Sequence, residues 1–169
     1  MKKTFMIVAL FLGLLIVSAA FNKTERNTTI GKDAPEITIN TTDDTIDLNS
    51  LKGKYVLLSF WASGNAQSRA AVNNYTAWIN SHKDSNLRYV GINFDDSETL
   101  FNEIVRLDSL NPAQQYNVRG NDAKNIEMKY QLDDGYGSLL IDPEGKIIAH
   151  NPTDIQLVEF VGTPAPDRQ

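Results

Sequence analysis

The chain has 169 residues, 41% of them hydrophobic and 22% charged, which is enough for one core-bearing domain and too few for two. Its formal charge of −5 leaves no basic face to neutralise phosphates, so nucleic acid is not an expected partner. It contains no cysteine, which excludes disulfides, thiolate catalysis and thiolate metal centres.

The N-terminus has the pattern of an export signal. Lys2 and Lys3 form a basic start, Phe5 to Val17 is apolar, and Ser18-Ala19-Ala20 is a small-residue cleavage pattern. Residues 1–20 are therefore expected to be a signal peptide, or an uncleaved anchor running to Phe21, close to the shortest span of a bilayer. Either reading places the domain outside the cytoplasm, with a membrane tether under the second. Residues 21–32, polar and rich in Asn and Thr, are expected to be a flexible linker. A domain over 33–162 and a polar tail over 163–169 complete the division.

Ile37-Thr-Ile39 alternates and predicts a short edge strand. Tyr55 to Phe60 is apolar apart from Ser59, the pattern of a strand covered on both faces. Gly64 and Asn65 break the run. A helix is predicted from about Ser68, with Val72, Tyr75 and Ile79 on its inner face and Ala71 and Trp78 beside them. Leu87 to Phe94 predicts a second core strand. In Asp95-Asp96-Ser97-Glu98, Asp95 is the expected cap of a second helix and Glu98 its partner; Leu100, Phe101, Ile104, Val105 and Leu107 form the apolar face.

Asn111-Pro112 ends that helix, and a short strand is expected near Gln115 to Val118. A small helix begins at Asn121-Asp122, with Ala123, Ile126 and Tyr130 inward. Leu139 to Ile141 and Lys146 to Ala149 form a hairpin closed by Asp142-Pro-Glu-Gly145, where proline presets one dihedral and glycine permits the left-handed one. Thr153-Asp-Ile-Gln156 is a capping box for a last helix carrying Ile155, Val158 and Phe160. A crossover unit followed by an antiparallel hairpin gives an α/β fold with a mixed central sheet.

Gly53-Lys-Tyr-Val-Leu-Leu-Ser-Phe-Trp-Ala-Ser63, with Arg69 beyond the loop and Leu140-Ile-Asp-Pro-Glu-Gly-Lys-Ile-Ile148 later, resembles the thioredoxin-like thiol-disulfide oxidoreductases, in particular their exported AhpC/TSA-like branch. The resemblance covers roughly Gly31 to Phe160. It implies a three-layer sandwich with an extra helix inserted before the last hairpin. It also implies a Cys-x-x-Cys pair at the strand-to-helix turn, and that pair falls on Asn65 and Ser68. The family's cis-proline falls on Tyr136, where a trans bond is expected because a cis bond there would cost about 2.5–4 kcal/mol. Gly64 stands where the family usually has Trp.

The expected site is thus the former substrate groove, formed by Asn65, Ser68, Tyr136 and Trp61, without a catalytic residue, a cofactor or a metal. The leading expectation is a non-catalytic module of the cell envelope that binds a peptide or protein. The alternatives are a redox protein that uses another electron carrier and a binder of a small ligand. The sequence contains neither familiar glycine-rich phosphate loop. Ser68 needs a base to act as a nucleophile, and neither His82 nor His150 is spaced to provide one. The pairs Asp95-Asp96 and Asp133-Asp134 lack the alternating ligand spacing of a calcium loop, and capping or solvated turns explain them better.

Overall fold

The computed structural model describes residues 27–40, 45–83 and 85–162. The central strand is β3 (Tyr55–Trp61), and its alternation feeds two cores. Val56, Leu58 and Phe60 face one side of the sheet while Leu57, Ser59 and Trp61 face the other, all 2% exposed or less. Fully burying a side chain such as Leu57 is worth roughly 1.5–3 kcal/mol, so this one strand anchors both layers.

β4 (Leu87–Asn93) pairs with β3 in parallel, placing Leu58 opposite Val90. β5 (Gln115–Asn117) extends that parallel edge. On the other side β6 (Ser138–Ile141) runs antiparallel to β3, and β7 (Ile147–His150) antiparallel to β6. The strand order is β5-β4-β3-β6-β7. The sheet is mixed, as its sequence order requires.

Four helices cover the two faces. α1 (Ala66–Ser81), α2 (Glu98–Leu107) and α4 (Asp154–Val161) pack on the face of Leu57 and Trp61 through Val72, Tyr75, Trp78, Phe101, Ile104 and Leu157. α3 (Gly120–Tyr130) packs on the opposite face through Ile126 and Tyr130. This is the helix inserted before the hairpin. Among the described residues no helix is long and apolar enough to cross a membrane.

Several expectations need correction. Ile37 lies just outside β1 (Thr38–Asn40), which pairs with β2 (Thr45–Asp47) in a separate two-stranded ribbon and not with the main sheet. α1 begins at Ala66, two residues before Ser68. The cap of α2 is Ser97, which accepts from the Leu100 N–H at 3.2 Å; Asp95 has turned inward, and Glu98 pairs with Arg119. Leu100 and Leu107 lie on the exposed side of α2. In α4 the inward residue is Leu157, whereas Ile155 and Phe160 are exposed. The capping box of α4 is present as expected. Of the expected linker, residues 27–32 are packed on the domain: Thr28 is buried and the Gly31 N–H donates to the Ile147 carbonyl. The expected leader and the tail over 163–169 lie outside the described residues.

Candidate functional site

The junction between β3 and α1 is built from its own loop residues. Asn65 is the N-cap of α1, and its Oδ1 accepts from the Ser68 N–H at 2.9 Å. This satisfies one of the donors that every helix start leaves orphaned. Ser68 is buried in the first turn. Its Oγ donates to the Asn65 carbonyl at 3.1 Å and accepts from the Ala62 N–H at 3.4 Å. Asn65 adopts ordinary extended dihedrals, so its role is the cap and not a strained turn. The two positions of the missing thiols are therefore occupied by a cap and its partner.

A buried polar network holds this loop from beneath. The Asp95 carboxylate accepts from the Ser63 N–H at 2.9 Å, from the Ser63 hydroxyl and from Asn93 Nδ2 at 2.8 Å. Asn117 Nδ2 donates to the Asp95 carbonyl and to Asn93 Oδ1, each at 2.8 Å. A buried carboxylate is tolerated when its oxygens are met by donors, and here the donors tie the β3–α1 loop to the ends of β4 and β5. A second tie lies outside. Arg69 grips Asp108 with two bonds of 2.6 Å, which holds the Asp108 carboxyl below its usual range and joins the first turn of α1 to the end of α2.

Beside the junction lies a groove of about 350 Å³. Asn65 and Gln67 form one side. The other is Gln131, the short 3₁₀ turn Leu132–Asp134, and Gly135 to Leu139; Thr28, His150 and Asn151 close one end. Tyr136 is a wall of this groove and does not fill it, because its ring stacks on Phe94 with centroids 5.2 Å apart. No described peptide bond is cis, so the bond before Tyr136 is trans. Burial, with Glu127, Asp95 and Asp96 nearby, raises the pKa of the Tyr136 hydroxyl.

The groove also exposes backbone. The Ser138 carbonyl accepts from the Asn151 N–H at 2.7 Å, its N–H donates to Asn151 Oδ1 at 2.8 Å, and the Gly137 carbonyl turns the other way to accept from the Phe60 N–H at 2.9 Å. Continuing that alternation, the N–H and C=O of Tyr136 fall on the β7 side, beyond the point where β7 ends and the chain turns away. Neither has a hydrogen-bond partner among the described residues.

Two residues at this site were not singled out from sequence: Asn151 and Gln131, both left-handed with φ of 44° and 52°. Such backbone clusters at functional sites. Among the described residues, Gln131 Oε1 is buried without a hydrogen-bond partner. Asn151-Pro152 after a strand was the available signal for the first, since asparagine tolerates that conformation and the pair marks turns. Nothing local marks the second.

Of the expected site residues, the structure brings Asn65 and Tyr136 to one groove, with Ser68 directly beneath the Asn65 cap. Trp61 is in the core, 0% exposed, and its indole N–H donates to Gln115 Oε1 at 3.1 Å. It supports the site from below and does not line it. His82 stacks on Trp78 at the far end of α1. His150 bonds the Thr28 carbonyl at 2.6 Å, and no imidazole meets Ser68. Among the described residues no three His, Asp or Glu groups converge as a metal site would require.

The strand order, the three layers and the helix start beside a groove define the thioredoxin-like fold. Residues 30–150 match the AhpC/TSA family, and the chain belongs to it. Similar solved structures include a thioredoxin-like protein from Parabacteroides distasonis, 30% identical with a TM-score of 0.67, covering 79% of this chain and 95% of that one. A thiol:disulfide interchange protein from a Bacteroides species is 27% identical with a TM-score of 0.71, covering 83% and 95%. Protein DipZ of Mycobacterium tuberculosis is 40% identical over 47 residues, which are 28% of this chain and only 7% of DipZ. With no cysteine at positions 65 and 68 or anywhere else, the chain has the family's frame without its Cys-x-x-Cys pair.

Proposed function

We propose that this chain is a redox-inactive member of its family that holds an extended peptide segment in the groove between Asn65, Tyr136 and Asn151. The observation that carries this reading is that Tyr136 lines the groove while its backbone N–H and C=O have no hydrogen-bond partner among the described residues. A peptide laid there gains strand-like main-chain bonds. Asn65 Nδ2 and Asn151 Nδ2 add donors for further peptide carbonyls, since the Oδ1 of each is already used inside the protein. Relatives described as thiol:disulfide interchange proteins exchange bonds through sulfur, whereas an amide at 65 and a buried hydroxyl at 68 supply no nucleophile for that step.

Two measurements test this. With excess reductant, the protein should reduce a model disulfide no faster than a control without protein; turnover above that control overturns the inactive reading. A dye-labelled extended peptide should bind, and N-methylation of the residue paired with Tyr136 should abolish binding. Equal affinity of the methylated peptide overturns the strand-pairing reading.

Export and a membrane tether belong to the same proposal. They are supported by the basic and apolar start of the chain and by the interchange proteins it resembles in fold. Cell fractionation with the N-terminal mass of the mature protein tests both. Recovery from the cytoplasm with residues 1–20 intact overturns them.

A further inference from the structure

We infer that the peptide taken by this groove presents a cationic side chain, lysine or arginine, beside the Tyr136 ring. The inference rests on the peptide reading above and specifies its substrate class. Among the described residues, no lysine or arginine lines the groove, and Asp134 is the one carboxylate that does.

More negative charge stands behind Tyr136. Its ring stacks on Phe94, and Asp95 and Asp96 follow Phe94 directly. Glu127 lies one turn before Tyr130 on α3, and Tyr130 packs on Phe60 at the groove floor with centroids 4.8 Å apart. The same three acids help to raise the Tyr136 hydroxyl pKa, after burial, which is consistent with a negative field at that ring. Asp95 is engaged by Ser63 and Asn93, but Asp96 and Glu127 have no ion-pair partner among the described residues.

The groove also offers a neutral acceptor, the Tyr136 carbonyl, which has no donor among the described residues. An ammonium or guanidinium brings only donors, so it complements a cluster of acceptors, and an aromatic ring adds a cation–π contribution. A carboxylate-bearing peptide would meet repulsion at the same place.

The test uses purified full-length protein and three dye-labelled peptides of one glycine- and serine-rich sequence. They differ only at the central residue: lysine, norleucine or glutamate. Fluorescence anisotropy at low salt should show the lysine peptide binding about tenfold more tightly than the norleucine peptide, and the glutamate peptide most weakly. The gap should narrow in about 0.5 M salt, where the Debye length falls to roughly 4 Å and exposed charges are screened. Asp96→Asn with Glu127→Gln, both at accessible positions, should narrow the gap between the lysine and norleucine peptides at low salt, leaving the part due to Asp134 and the Tyr136 ring. Equal binding of all three peptides by the unaltered protein overturns the inference and leaves the peptide reading standing. Absence of binding by all three overturns both.

Discussion

Asn65 and Ser68 stand at the two positions where the family carries sulfur, and they are joined by a hydrogen bond of 2.9 Å from the Ser68 N–H to Asn65 Oδ1. The bond turns a site of chemistry into a helix cap. Its contribution is measurable: Asn65→Ala should cost about 1 kcal/mol in denaturant unfolding, while Asn65→Asp should keep most of the stability. Equal stability of the alanine variant would mean that the cap contributes nothing.

The same spacing predicts the behaviour of Asn65→Cys with Ser68→Cys. Position 65 lies at the positive end of α1, which favours a thiolate, and position 68 is buried one turn in. Oxidation should remove both free thiols by titration. Turnover of a disulfide substrate should nevertheless stay close to the control, because the bond before Tyr136 is trans where the family resemblance implies a cis-proline. Efficient turnover would show that the groove still serves that chemistry.

The mixed sheet and most of its elements were legible because their signals are local, and the family resemblance implied the three layers and the inserted helix; the strand order within the sheet was not foreseen. Tyr55 to Phe60, apolar apart from Ser59, has the pattern of a doubly covered strand, and Thr153 to Gln156 announces its helix in four residues. What escaped was set at long range. Asp95, Asp96 and Ser97 are all competent caps by type, and only the Ser63 loop, 32 positions earlier, decides that Asp95 turns inward. In the eight-residue α4, Ile155 and Leu157 compete for the core, and the sheet selects Leu157. At the site, Asn65 and Ser68 were readable from the strand-to-helix frame. Gln131 and Asn151 were not, because they reach the groove only through the fold.

Two buried phenols set the alkaline limit of the domain. Burial raises the pKa of both Tyr89 and Tyr130 above the ordinary value of 10.0. The unfolded chain therefore loses these protons first as the pH climbs, and stability falls with pH above about 10, by up to about 1.4 kcal/mol per unit for each group. Below that range their contribution is fully present. Denaturant midpoints at several alkaline pH values should trace this fall, and Tyr89→Phe should flatten it. A slope unchanged by that substitution would remove Tyr89 from the account. Among the described residues no group meets the buried Tyr89 hydroxyl with hydrogen-bond geometry, although Ser59 and Gln115 lie close, so Tyr89→Phe should also be nearly neutral at pH 7.

Gly91 predicts a different failure. A Cβ there would lie 2.2 Å from Gln115 Oε1, the atom that accepts the Trp61 indole bond. Gly91→Ala should force Gln115 aside, cost about 1–3 kcal/mol and shift the fluorescence of Trp61. An unchanged spectrum with unchanged stability would show that Gln115 has room to move without loss.

Thr28 is 5% exposed, and its carbonyl holds the His150 imidazole at the groove's end. The family match opens at residue 30, so a recombinant fragment trimmed to that boundary would discard Thr28 and release His150. Binding tests of the groove run on such a fragment would probe an altered site. Expression designs for this protein should therefore begin upstream of Asn27.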